Sequence, residues 1–429
     1  MKSLAQSRPS SAVRALALGC SVAAAAMLSV YACTEYDSSL LLFTDAGADV
    51  SDAAPETHPD VFDATDDSHD AVDAPDASDD ADVSDEAVDA SPEAAVCSAT
   101  QVDCDGDTSN GCETNLLANP KSCGWCNHDC MGTACMNGLC VPTTLAAGQS
   151  SPGNIAQDAD YVYWANSVQN GAIMRIAKTG TAPEVVAPSS NPPGGLAVDV
   201  AAIYWSESMD NSSVWRLDKS GIEDGGAAVA LATGQGMSMT LTVDDGAWVY
   251  WCTATTVRKV PKAGGTVAYV ATNMGHPGGI IWNLGFLYWT DAVGGNVYGV
   301  DTPDGPVVKV ATGQSFPTGI TADFTTLYWA DMLTVPDAGP AGIMAMTKAD
   351  PTQLTLLAGS QSSPLGVAES GSYVYWTNNV SGEVMRTAKT GGTPQKLAQG
   401  QGAPSGIVVD ESWVYWTSRD DGKVMRVAK

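Results

Sequence analysis

The chain has 429 residues, 44% of them hydrophobic, and sets 20 basic side chains against 49 acidic ones for a formal net charge of −29. No basic footprint of the kind that holds phosphate backbones is present, so no nucleic-acid partner is expected. Residues 143–429 carry 16 basic and 24 acidic residues, so most of the excess charge lies ahead of them and the chain divides into unlike regions.

The first 33 residues read as an export signal. Lys2, Arg8 and Arg14 give a positive start, and Ala15 to Ala32 is apolar and rich in small residues. That run is short for a stable membrane helix. It ends Val30-Tyr-Ala-Cys33, which resembles a bacterial lipobox. The resemblance implies lipidation at Cys33 and an exported protein at the outer membrane or cell surface, with the periplasm as the alternative. Membrane contact would then run through the lipid anchor alone. Ordinary secretion after cleavage is the competing reading.

Residues 34–96 are dominated by Ala, Asp, Ser, Pro and Val and hold 20 acidic residues, and no Lys or Arg occurs between Arg14 and Lys121. Such a segment buries too little apolar surface to offset chain entropy, and its charges repel, so a disordered acidic tether is expected.

Residues 97–142 form a third region. Cys97, Cys104, Cys112, Cys123, Cys126, Cys130, Cys135 and Cys140 are eight of the eleven cysteines. An even count in so short an exported stretch predicts four disulfides, with connectivity open. Zinc at Cys123, Cys126 and Cys130 is the alternative. Asp103, Asp105 and Asp107 alternate, with Glu113 downstream, and clustered oxygen ligands suit Ca²⁺. Apart from that candidate calcium site no cofactor is expected; a water-exposed Asp-rich turn is the plainer reading. The phrase Asp103-Cys-Asp-Gly-Asp-Thr-Ser-Asn-Gly-Cys-Glu113 resembles the Cys-rich modules of myxobacterial surface proteins.

The remaining chain repeats at intervals of roughly 40 residues. Its cores are Tyr163-Trp164, Tyr204-Trp205, Tyr250-Trp251, Tyr288-Trp289, Tyr328-Trp329, Tyr375-Trp376 and Tyr415-Trp416. Each copy holds short runs of Val, Ile, Tyr and Trp separated by Gly, Asp and Ser, the pattern of four strands and tight turns. Alternation puts Tyr373 and Tyr375 on one face of a strand and Val374 and Trp376 on the other, and both sets are apolar because each blade lies between two others. The expected fold class is all-β: a seven-bladed β-propeller of four-stranded antiparallel blades over residues 143–429. Thr143-Thr-Leu-Ala-Ala-Gly-Gln149 matches the fourth-strand pattern Gln395-Lys-Leu-Ala-Gln-Gly-Gln401, and the chain stops after a third strand. A 1+3 closure follows, which removes free sheet edges.

Tyr288-Trp-Thr-Asp291, Tyr328-Trp-Ala-Asp331 and Tyr375-Trp-Thr-Asn378 resemble the YWTD propellers of the low-density-lipoprotein-receptor type. That family typically has six blades, so seven is read from this chain's own repeats. The resemblance implies a binding or structural role and no cofactor.

Chemistry is sparse. His276 is the one histidine among residues 143–429, and no zinc, phosphate-loop or nucleophile-elbow motif is present. Cys252 reads as a buried small hydrophobe. The recurring Arg-x-x-Lys pairs (Arg175 and Lys178, Arg216 and Lys219, Arg386 and Lys389, Arg426 and Lys429) read as solvated hairpin positions, with a basic ring as the alternative. A ligand site is expected where second-to-third turns meet the links between blades, beside blades four and five. Its candidate residues are His276, Asp291, Asp331 and Asn378, with Asn166 and Glu207 at matching positions and an insertion at Leu333–Gly342. The expected function is an exported, lipid-anchored, monomeric protein whose propeller is a scaffold for a protein or glycan ligand. The alternative is a propeller lyase or glycan-acting hydrolase working through carboxylates or His276. A lectin-like propeller would need aromatics repeated on a loop face, and here they recur mid-strand.

Overall fold

The computed structural model describes residues 97–429, apart from residues 99, 108, 302, 303 and 334–340. The export signal with Cys33, the acidic segment and most of the Leu333–Gly342 insertion lie outside the described residues.

Seven four-stranded antiparallel sheets are present. Blade one comprises Pro152–Gln157, Tyr161–Asn166, Ala172–Ala177 and Glu184–Pro188. Five further blades repeat this meander, and their first strands begin at Pro193, Ser238, Pro277, Pro317 and Pro364. Blade seven has Pro404–Val409, Trp413–Ser418 and Lys423–Ala428 from the end of the chain, and Thr143–Ala146 as its outer strand. Thr144 pairs with Met425 and Ala146 with Val424, which is the expected 1+3 closure. First strands of successive blades pack against one another around the axis, including blade seven against blade one.

The repeated residues explain why the sheets stay together. All seven second-strand tryptophans are buried between blades. The residue after each Tyr-Trp pair is often a Thr or Ser whose hydroxyl crosses to the next blade. Thr290 donates to the Thr318 carbonyl, Thr377 to Ser405 and Thr417 to Gly153, each at 2.7 Å. Such an approach requires glycine on the facing inner strands. A Cβ on Gly319 would lie 2.3 Å from the Leu365 carbonyl oxygen, and one on Gly366 would lie 2.4 Å from that of Ser405.

The opposite edge of each sheet, where first-to-second and third-to-fourth turns lie, carries a second device. Asp158 accepts N–H groups from its own turn and the hydroxyl of Tyr163 at 2.8 Å. Lys219 of the next blade reaches the same carboxylate at 2.7 Å. The arrangement recurs as Asp199 with Tyr204 and Lys262, Asp323 with Tyr328 and Lys389, and Asp410 with Tyr415 and Lys178. Burial opposes charge on Asp158, but Lys219 and the turn N–H groups outweigh it and hold the carboxyl below its usual range. Three of the four recurring lysines, Lys178, Lys219 and Lys389, are therefore inter-blade ion pairs, and Lys429 instead reaches the Ser370 hydroxyl and the Asp410 carbonyl oxygen. This corrects the reading of these three as solvated hairpin positions.

One element was not anticipated. The third-to-fourth turn of blade two forms a short helix, Ser220–Asp224, ending on Gly225 in the left-handed region at φ 70°. Its Glu223 joins Glu184 on the buried guanidinium of Arg175.

The cysteine-rich region belongs to the same compact unit as the propeller. Its bridges are Cys97–Cys112, Cys104–Cys126, Cys123–Cys135 and Cys130–Cys140. Cys123, Cys126 and Cys130 thus fall in three different disulfides, which removes the zinc alternative. Four of these cysteines share a buried cluster with Leu397, Val427 and Ala428 of blades six and seven. Trp125 stacks on His128 and caps the guanidinium of Arg386 at 4.0 Å.

Candidate functional site

Second-to-third turns and the links between blades share one edge of the propeller, as the topology requires; Asp291, Asp331 and Asn378 sit there at the ends of second strands, and His276 lies in the link entering blade four. The three strand-end residues are buried. Asp291 is 2% exposed and accepts the backbone N–H groups of Gly275, His276 and Gly294. It ties the link entering blade four to that blade's own turn. His276 is half-buried, and its ring makes no hydrogen bond among the described residues. Asn378 and Asn166 donate to Gln361 and Gln149. Glu207 takes the Ser189 hydroxyl, the Asn191 amide and the Ser213 N–H. The structure brings His276 and Asp291 together and leaves Asp331 and Asn378 in separate blades.

Asp331 differs from its counterparts. It is 3% exposed, one carboxylate oxygen accepts the Ser315 N–H at 3.2 Å, and the other has no partner. Burial pushes its carboxyl up to about 6. It lies two residues before the insertion.

A set of glutamines missed from the sequence completes this edge. Gln149, Gln314, Gln361 and Gln401 each accept the indole N–H of the tryptophan fifteen residues later, at 3.0–3.2 Å. The signal was legible as a fixed Gln-to-Trp spacing. The cap is missing in three adjacent blades. Ser190 and Met274 stand at the glutamine position in blades two and four, and Gln235 of blade three accepts from Arg258 instead. The indole N–H groups of Trp205, Trp251 and Trp289 are buried without a partner.

In the cysteine-rich module, Asp103, Asp105 and Glu113 offer carboxylate oxygens within 4.8 Å of one another. Asp107 lies outside this group and bonds Ser109 at 2.6 Å. The three gathered acids also accept turn N–H groups: Gly106 to Asp103, Asp107 to Asp105 and Cys104 to Glu113. Cys252 is free and buried, and burial pushes its thiol up to about 12.

The central wall offers few reactive groups. Across the seven inner strands there is one carboxylate, Glu369, and Lys389 pairs with it at 2.7 Å.

No protein-family model matches the chain, and no curated protein matches it in sequence. Solved structures do. Selenomethionine-substituted virginiamycin B lyase from Staphylococcus aureus aligns with a TM-score of 0.57 at 14% identity, over 67% of this chain and 98% of that one. A catalytically inactive variant of that lyase, with quinupristin, aligns with a TM-score of 0.56 at the same identity and coverage. The computationally designed Ika8 protein gives 0.51 at 14% identity, over 67% of this chain and 98% of its own. A chain of the nidogen/laminin complex gives 0.43 at 20% identity, over 54% of this chain and 89% of that one. The likeness at these identities is one of fold.

Proposed function

We propose that this chain is an exported, lipid-anchored surface protein whose propeller binds a protein or glycan ligand on the link edge beside blades two to five. The observation that carries the binding half is that departures from the repeat gather on that edge. The glutamine cap is lost in blades two to four, His276 enters blade four, one carboxylate oxygen of Asp331 stands without a partner in blade five, and the insertion follows it. Function tends to sit on irregular loops held by a rigid scaffold. Four disulfides in a small module support passage through an oxidising compartment. Lipidation at Cys33, a span of acidic tether and an outer-membrane or cell-surface address complete the proposal. The paired state of Glu369 and the unsupported ring of His276 favour a scaffold over a propeller lyase or hydrolase, because an acid–base pair needs both members in reach of one substrate.

Binding of the full mature chain to a glycan array and to surface extracts tests this reading. Replacing Leu333–Gly342 with a short turn should abolish the binding found and leave thermal unfolding nearly unchanged. Full binding after that swap would refute the site. A Cys33→Ser variant should move from the membrane fraction to the soluble one.

A further inference from the structure

The turn-edge clamp has an acceptor from its own blade, a tyrosine hydroxyl and a lysine from the next blade. Blade six breaks it. Ser370 occupies the place that Asp158, Asp199, Asp323 and Asp410 hold elsewhere, so the carboxylate is missing. The rest of the clamp remains. Lys429 reaches Ser370 Oγ at 2.6 Å, and the buried hydroxyl of Tyr375 has no partner. Blade four also lacks the acid, but there Asn283 Oδ1 receives Lys348.

Blade six adds a second cation. Arg386 is 4% exposed, held between the rings of Trp125 and Tyr373 at 4.0 and 4.2 Å. Its Nε donates to Gln395, and no carboxylate pairs with it among the described residues. The matching Arg175 of blade one has two. Burial is the main cause that holds both Arg386 and Lys429 below their usual pKa, and on Lys429 it outweighs the fields of Asp410, Glu411 and Glu369. A buried cation left unpaired is costly, so Arg386 favours an anion, and the partly buried Lys429 adds a second positive charge.

These groups line one cavity. It has a volume of about 380 Å³ and lies between the cysteine-rich module and blades six and seven, with Arg386, Tyr375, Tyr373 and Lys429 on one side and Asn127 and Met131 of the module on the other. Two acids also line it: Asp129 pairs with Lys121, and Glu411 is exposed and acts on Lys429. Of the acids nearby, Asp410 pairs with Lys178 and Glu369 with Lys389.

We propose that this cavity binds the carboxylate of a small organic acid, which takes the place of the missing aspartate. The carboxylate accepts from Tyr375, Lys429 and the guanidinium of Arg386, and the rest of the ligand lies against Tyr373 and Met131. The site is on the opposite edge from the one proposed above and does not depend on it.

The test uses the full mature chain, sodium acetate as the smallest carboxylate probe, and sodium chloride at matched ionic strength as reference. Acetate should raise the unfolding temperature in proportion to occupancy and shift the Arg386 Nε–H resonance. Ser370→Asp restores the repeat's own acid. It should raise the unfolding temperature without acetate and weaken acetate binding at least about tenfold, the loss expected when a charge-assisted site is already filled. No acetate-specific shift in the wild type, or equal acetate response in wild type and Ser370→Asp, would overturn the proposal.

Discussion

At Asp331 the repeat places an acid where blades one and six carry Asn166 and Asn378. Those asparagines donate to the glutamine that caps the neighbouring indole. A carboxylate cannot donate, and burial in that place pushes Asp331 up to about 6. The folded state therefore holds a proton that the unfolded chain has released by pH 5, and stability falls as pH rises from about 4 through about 6. Asp331→Asn should stabilise the protein above pH 6 by on the order of 2 kcal/mol, and the gain should vanish below pH 4. Paired denaturant titrations across that range check it; a constant difference at all pH values would contradict it. The tryptophans make the plainer case. Trp376→Ala in a fully buried site should cost about 3–5 kcal/mol.

Between elements, the aspartate–lysine clamps should matter more than surface ion pairs do, because Asp158 and Lys219 are largely buried and share the Tyr163 hydroxyl. Lys219→Met should cost about 1–3 kcal/mol at pH 7 and less at pH 3, where Asp158 is protonated in the unfolded chain and the clamp's contribution is lost as pH falls. Urea midpoints at the two pH values measure this. Strands, blade count and closure were legible in the sequence because they rest on period and on the local match of Thr143–Gln149 to Gln395–Gln401. The clamps were not read, although Asp recurs five residues before the repeat tyrosine in Asp158, Asp199, Asp323 and Asp410. The lysine partner comes from the next blade, 61 residues on for Asp158, and one repeat viewed alone shows an exposed hairpin. The disulfide pairing was beyond reach for the same reason: spacing does not say which cysteines meet. Asp291, Asp331 and Asn378 close second strands, as their place after the Tyr-Trp pairs implies. Their inward hydrogen bonding was hidden because the backbone N–H groups they bind carry no sequence signature.

For the whole molecule, the cysteine-rich module is a buttress on blades six and seven. Reduction of its four bridges should loosen the contact of Trp125 with Arg386 and lower the unfolding temperature of the propeller as well as of the module. Calorimetry with and without reductant tests this, and an unchanged propeller transition would show the two to be independent. Closure of the ring is the claim on which the other statements depend, since clamps and indole caps both cross from blade seven to blade one. A Thr144→Cys, Met425→Cys double variant examines it directly, because these residues are opposed and the Thr144 hydroxyl lies 3.3 Å from the Met425 sulfur. Peptide mapping without reductant should recover the segments around positions 144 and 425 joined by a disulfide in nearly all molecules. Free thiols at both positions, in protein that remains folded, would mean that the ring is open.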